Sequence, residues 1–286
     1  MGTSQSSKGP LGGVPMVPPW VPDAAPPAAP AAEGEVQQDA GEQKPVTAAP
    51  TIQPVPAQVP IAPAARFSGA RRSLGTFARS GDAADMRRGV GRYVRGGYGG
   101  AGTASRRFGG TASTAAALYG ALSSLAAGQA PVAGSPLDPV LLAGRSARQL
   151  IDVILQAVQP PDGTQDAEAR RAAIRDALSE LLTKFEEADL LNLSPEQRDF
   201  VIERFVAMDI YRRFVLDLGK TIQDKAPSAV TGLSRLKQVK DYVKETVAAT
   251  FRKLRDAGQK LSAGRVKEIV RSALRETMQV FEGYAE

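Results

Sequence analysis

Proline is concentrated at one end of this chain, and its distribution limits where regular structure can form. Of the 21 prolines, 14 lie within residues 1–65. Proline fixes φ and lacks a backbone N–H, so a segment this dense in proline cannot sustain a helix or a sheet ladder. Alanine fills much of the rest, and the apolar bulk is too sparse to offset the entropy of ordering. We therefore predict a long disordered Pro/Ala-rich tail over 1–65.

The C-terminal half has the apolar periodicity of helices. Over 139–286 the large apolar residues recur at steps of three or four, and no stretch alternates as a strand would. Ser194-Pro195-Glu196-Gln197 combines a capping box with proline at the first helical position, which is typical of a helix start. The pattern predicts an all-α domain of about five helices over 139–286, enough for one ordinary helical core.

We predict neither a membrane span nor a secretory signal. The most apolar stretch, 111–128, is mostly Ala, Ser and Gly and is shorter than the ~20 apolar residues that a span needs. Proline occupies the positions where a signal peptide would carry its apolar region. These observations predict a cytoplasmic protein that does not act on membranes.

The sequence contains neither cysteine nor histidine. Without cysteine the chain cannot form disulfides, thiolate nucleophiles or cysteine zinc sites. Without histidine it lacks the commonest general base and the commonest metal ligand. We therefore predict a protein that is not an enzyme, with no catalytic residue, no metal site and no cofactor.

A basic segment separates the tail from the helical half. Residues 66–110 hold ten arginines, no lysine and two aspartates, a net charge of +8, with aromatic residues interleaved. Together with an Ala-rich helix that follows, it forms a predicted docking segment over 66–128, in which Gly97–Gly102 is interpreted as a flexible hinge. Arginine forks onto carboxylates and aromatic anchors suit a protein partner. The candidate partner-binding residues here are Arg92, Tyr93, Arg95, Tyr98, Arg106, Arg107 and Phe108.

Two other interpretations of this segment stay open. An Arg/Gly/aromatic composition also favours nucleic-acid binding, through phosphate charge and base stacking. A solvated basic linker would have the same composition. Binding to phosphates weakens steeply as the salt concentration rises, which separates it from docking through apolar groups.

The N-terminus is the sharpest local motif. Gly2 follows Met1, so removal of Met1 leaves the Gly2 α-amine free, in a string that fits an N-acylation pattern. An α-amine has a pKa of about 7.7–8.0 and is a usable nucleophile near neutral pH. Downstream, an apolar cluster suits the groove of a partner protein. The cluster residues that we predict to bind a partner are Met16, Pro18, Pro19 and Trp20. The alternative is an ordinary disordered terminus.

Three features in combination resemble a known family. They are Met1-Gly2-Thr3-Ser4 with Pro15-Met16-Val17-Pro18-Pro19-Trp20-Val21, Gly91-Arg92-Tyr93-Val94-Arg95-Gly96-Gly97-Tyr98-Gly99-Gly100 with Ala104-Ser105-Arg106-Arg107-Phe108-Gly109, and the helical C-terminal half. With them the chain resembles the QatB proteins of the bacterial Qat anti-phage system. The resemblance implies a defence component without recognised catalysis, whose companions are an ATPase, a QueC-like enzyme of the 7-deazapurine superfamily and a TatD-like nuclease.

The resemblance also implies a specific role for the N-terminus. QueC-like enzymes of related defence systems attach a deazaguanine group to the N-terminal glycine of a partner protein. By this resemblance Gly2 is the modification acceptor, and the tail from Thr3 and Ser4 through Trp20 is what the enzyme binds. The function we expect is therefore that of a non-enzymatic adaptor and substrate, and the alternative is a nucleic-acid-binding protein that uses 66–110.

Overall fold

The structure is a computed structural model that describes residues 15–17, 61–129 and 136–286. Within them the chain forms eleven α-helices and two π-helical turns, and no β-strand. The helices are α1 Ser68–Ser80, α2 Ala83–Arg92, α3 Ala101–Arg107, α4 Gly109–Ala126, α5 Pro139–Leu142, α6 Ala147–Val158, α7 Gln165–Lys184, α8 Pro195–Phe214, α9 Lys220–Lys225, α10 Ala229–Asp256 and α11 Val266–Glu282. The π-helical turns are Tyr93–Gly97, which extends α2, and Val215–Gly219, which joins α8 to α9.

The predicted all-α class is confirmed, and the helices outnumber the predicted five. The capping box that opens α8 is present, because the Ser194 side chain accepts from the Gln197 N–H and the Gln197 side chain accepts from the Ser194 N–H. The predicted tail over 1–65 lies outside the described residues except at 15–17 and 61–65. None of the described helices combines the length and apolarity that crossing a bilayer requires.

Three helices that were not predicted, α1, α2 and α3, lie in the basic segment. α1 carries an apolar face of Ala70, Leu74, Phe77 and Ala78, at steps of four, three and one, and each of these side chains is buried. Arginine is a good helix former, so the density of arginine in this segment does not oppose helix formation. The sequence interpretation gave weight to charge and glycine there, and it missed α1, α2 and α3.

One hydrophobic core includes side chains from both sides of the predicted boundary at 128–139. α11 packs on α3 and α4, α7 packs on α8, and α1 packs on α9. The largest fully buried side chains are Phe77, Phe108, Phe205, Phe214, Phe251 and Phe281. Because the core is shared, the basic segment is part of the helical body that it was predicted to precede.

Glycines of the basic segment allow close helix packing. An ideal Cβ at Gly91 would lie 2.6 Å from the backbone nitrogen of Ala285 and 2.7 Å from the carbonyl oxygen of Phe281. A Cβ at Gly97 would overlap the ring of Phe67. Gly97 lies in a π-helical turn and Gly102 in α3, so only the two residues between Tyr98 and α3 turn the chain. The predicted glycine hinge is thus largely helical. Glycine is needed at position 97 because the ring of Phe67 occupies the space of a side chain.

We expect Gly91→Ala to destabilise the protein and Gly102→Ala to leave it unchanged or slightly more stable. The Gly91 methyl group would meet backbone atoms of the C-terminal segment, and overpacking of this kind costs about 1–3 kcal/mol. A Cβ at Gly102 has no atom within 4 Å, so only the helix propensity of alanine acts there. Urea unfolding of both variants checks this. Equal free energies of unfolding would mean that α2 and the C-terminal segment do not pack as described.

Candidate interaction site

A short piece of the N-terminal region is held on the helical body. Pro15 forms an isolated antiparallel bridge with Ile61, and the side chains of Met16 and Val17 are 5% and 2% exposed. The Met16 sulfur lies against Gly99, where an ideal Cβ would be 2.7 Å from it. Gly99 has a φ of +71°, which favours glycine, so both the conformation and the space require glycine there. We call Pro15–Val17, with its contacts to Ile61 and Gly99, the N-terminal clasp.

The clasp changes the interpretation of Met16. The sequence predicted Met16 as an anchor for a partner groove, but in the structure its side chain fills a site on its own chain. The other predicted residues of the N-terminal region lie outside the described residues. They are Gly2, Thr3, Ser4, Pro18, Pro19 and Trp20.

The aromatic residues predicted as partner anchors are buried. Tyr93, Tyr98 and Phe108 are 2%, 4% and 0% exposed. Tyr93 stacks on Phe67 at 5.6 Å between ring centroids, and it meets Phe214 edge to face at 5.3 Å. These three side chains therefore stabilise the body and are not surface anchors in this conformation. Composition could not distinguish the two roles, because aromatic residues between arginines fit a docking strand and a packed helix equally well.

The two π-helical turns meet at a carboxylate. Asp217, in the second turn, accepts hydrogen bonds from the hydroxyls of Tyr93 (2.9 Å) and Tyr98 (2.8 Å). Burial raises the pKa of Tyr93 and of Tyr98. Burial also raises the pKa of Asp217, and the tyrosine hydroxyls and the charges of Arg66 and Arg107 offset this only in part. The inserted residue of a π-helical turn rotates the helix face, which here brings groups from distant parts of the chain together.

The raised pKa of Asp217 predicts a pH effect on stability. The folded state binds this proton more tightly than the unfolded state does, so the stabilisation is fully present below the unfolded pKa of about 3.9. It is lost as the pH rises through the higher folded pKa. We expect the free energy of unfolding of the wild type, relative to that of Asp217→Asn, to fall from about pH 4 upward. Urea titrations at several pH values measure it, and a relative stability that rises with pH would contradict it.

A second buried network ties the basic segment to α7 and α8. Asp166 lies 2.5 Å from a guanidinium nitrogen of Arg107 and 3.4 Å from one of Arg213. Arg213 also lies 3.4 Å from Asp209, which accepts a 2.5 Å hydrogen bond from the Thr111 hydroxyl. Burial opposes the charge on Arg213, but Asp209 and Asp166 raise its pKa, so it stays protonated. Arg107, predicted to bind a partner, thus pairs within the chain.

The remaining predicted arginines differ in exposure. Arg92 is half-buried and donates to the Ala285 carbonyl at 3.3 Å and to the Ser73 hydroxyl at 2.9 Å. Arg106 is half-buried and reaches the Thr103 hydroxyl at 3.4 Å. Arg95 has a side chain 59% exposed, and it lies 3.7 Å from the carboxylate of the C-terminal residue Glu286. Of the seven predicted residues in this segment, Arg95 is the one whose side chain is mostly available to a partner.

Sequence reasoning missed the carboxylates at the centre of both networks. Asp209 lies between Met208 and Ile210, and Asp217 lies between Leu216 and Leu218. A charged residue inside an apolar helical stretch indicates a buried, paired group, and this signal was available. The described residues hold no group of three or more acidic, histidine or cysteine side chains that could bind a metal ion.

Comparison with known proteins gives the identity. The fold and site define an all-α protein whose helices are joined by buried ionic and aromatic networks. Residues 99–281 match the model of the family described as Qat anti-phage system associated protein QatB. The match spans well over half of the chain, so the chain belongs to the QatB family and is a component of the Qat anti-phage system. No curated protein and no solved structure matches it.

The match covers α3 to most of α11, and therefore the network of Arg107, Asp166, Asp209 and Arg213. It begins at Gly99, the residue against which Met16 packs. The N-terminal region and the 91–98 block, which carried much of the resemblance in the sequence, lie outside the matched range. The match to the helical body confirms family membership, and it does not test the N-terminal motif.

Proposed function

We propose that the chain serves the Qat system as a binding partner of its QueC-like enzyme, and that Gly2 is the acceptor which this enzyme modifies. The observation that supports the proposal most is the QatB match over the helical body, with the N-terminal clasp seated at its first matched residue. A protein whose N-terminal region is attached to a family-specific body suits a role in which the body is bound and the terminus is presented. In this proposal the chain acts in the cytoplasm and is not an enzyme.

The chemistry that we propose requires only the terminal amine from this chain. The unprotonated Gly2 nitrogen attacks an activated carbon of the deazaguanine group that the enzyme holds. A carbon–nitrogen bond forms, the activating group leaves with the bonding electrons, and the nitrogen loses a proton to a base of the enzyme. The amine must approach to ~3–3.5 Å, and glycine has no Cβ to obstruct that approach.

The body surface nearest the clasp supplies the contacts that we propose for the enzyme. The exposed side chain of Arg95 lies four residues before Gly99, the residue on which Met16 packs. The wider partner-binding set proposed from the sequence includes Thr3, Ser4, Pro18, Pro19 and Trp20. The ATPase and the TatD-like nuclease of the system are further proposed partners.

Capture from a lysate tests the partner role directly. The chain is produced without a tag, so that both of its termini stay as they are, and each companion protein is tagged in turn. We expect the tagged QueC-like enzyme to retain the chain at both low and moderate salt. Retention by none of the three companions would contradict the proposal. Retention of the chain on DNA or RNA instead, with an affinity whose logarithm falls linearly with that of the salt concentration, would favour the nucleic-acid alternative.

A further inference from the structure

We infer that the N-terminal clasp limits how far the Gly2 amine can lie from the helical body, so that Met16 is a positioning residue for that amine. The inference rests on the proposed function, because it concerns how the same amine is presented. It adds a surface requirement: the enzyme must bind the body within reach of the clasp.

The clasp residues are buried and fit closely against the helical body. Met16, Val17 and Ala62 are at most 5% exposed. Pro15 and Ile61 are themselves exposed, so the bridge lies at the surface. The residues that follow them, Met16 and Ala62, are buried. Only a glycine at position 99 leaves room for the Met16 sulfur.

Chain length gives the consequence for Gly2. With the clasp closed, Pro15 is 13 positions after Gly2, so the amine reaches at most ~45 Å from the clasp. Without the clasp, the next described residue along the chain is Ile61, which is 59 positions after Gly2. The effective concentration of a tethered group falls roughly as the −3/2 power of tether length. Opening the clasp should therefore lower the local concentration of the amine at an enzyme bound to the body by about tenfold.

The clasp also restricts where the enzyme can bind. The clasp lies beside the start of α3 and the end of α11, because Met16 packs on Gly99, which precedes α3, and the Ala101 N–H donates to the Glu282 carboxylate at 2.9 Å. Arg95 lies in the preceding π-helical turn, 3.7 Å from the side-chain carboxylate of the C-terminal residue Glu286. We assign the enzyme-binding surface to this end of the body, around the exposed side chain of Arg95.

A designed disulfide tests the clasp without any partner. Residues directly opposite in an antiparallel pair have Cα atoms about 4.5–5.5 Å apart, within the ~4.4–6.8 Å that a disulfide spans. Because the chain has no cysteine, Pro15→Cys with Ile61→Cys can form only one intramolecular disulfide. We expect fast, complete closure under mild oxidation, seen as loss of free thiol. Met16→Asp in the same background should slow closure at least about tenfold, whereas Met16→Leu should not. Equal closure rates in all three would overturn the clasp.

Kinetics with the QueC-like enzyme test the positioning role. Met16→Asp should raise the KM for this chain by about tenfold and leave kcat unchanged, since the chemistry at the amine is the same once bound. Met16→Leu and the oxidised, locked disulfide should behave as wild type. Loss of activity in the locked protein, or an unchanged KM in Met16→Asp, would overturn positioning while leaving Gly2 as the acceptor. If the wild type is not modified, the proposed function is contradicted. The disulfide test then still decides whether the clasp forms.

Discussion

Asp209→Ala is expected to lower the free energy of unfolding by about 3–5 kcal/mol. The Asp209 carboxylate is fully buried, and it lies 3.4 Å from Arg213, whose side chain is 4% exposed. Removing it leaves Arg213 with Asp166 as its remaining carboxylate, and it leaves the buried Thr111 hydroxyl without its acceptor. Arg213 then keeps only the half-buried Asp166 as a counter-charge, and losing the buried partner of a buried charge costs far more than losing a surface ion pair. Urea unfolding, followed by circular dichroism, measures the effect.

Two comparisons make that measurement decisive. Asp241→Ala removes a carboxylate that pairs at the surface with Lys237 one helical turn away, and it should cost less than about 1 kcal/mol. Asp209→Leu combined with Arg213→Met removes both buried charges, and it should recover much of the lost stability. If Asp209→Ala costs no more than Asp241→Ala, the network around Arg213 does not hold α8 to the basic segment as described.

Blocking the N-terminus is expected to abolish protection of cells from phage. Gly2→Trp, or extra residues before Gly2, places bulk at the amine that the proposed conjugation must bring to ~3–3.5 Å from an activated carbon. Both changes lie outside the described residues, and we expect the circular dichroism spectrum and thermal transition to match those of the wild type. Gly34→Trp carries the same replacement at another glycine of the N-terminal region, and it should keep protection. Full protection by the extended protein would show that the free amine is not required.

The extent of prediction from sequence differs between the two halves of the protein. The helices of the C-terminal half could be predicted because apolar spacing and the Ser194 capping box are local signals, and both are confirmed. The helices of the basic segment could not be predicted, because its glycines are required by close contacts with residues far away in the chain. Gly91 is explained by the backbone of Phe281 and Ala285, and Gly97 by the ring of Phe67.

The networks show the same division between local and distant information. That Asp209 and Asp217 interrupt apolar stretches is visible in the sequence, and it indicates burial with a partner. Which partners they take could not be predicted, since Asp217 binds tyrosines more than one hundred residues earlier. Arg107 was interpreted as part of a docking surface for the same reason, because its carboxylate partner Asp166 lies in α7, much later in the chain.

The mass of the N-terminal peptide tests the central claim most directly. The untagged chain is produced with the active QueC-like enzyme, with an inactivated form of it, and alone, and each preparation is analysed by intact mass and peptide mapping. We predict an added mass on the peptide that begins at Gly2, only with the active enzyme, and its loss in Gly2→Trp but not in Gly34→Trp. An unmodified Gly2 in cells where the active enzyme is present and phage protection is complete would contradict the account.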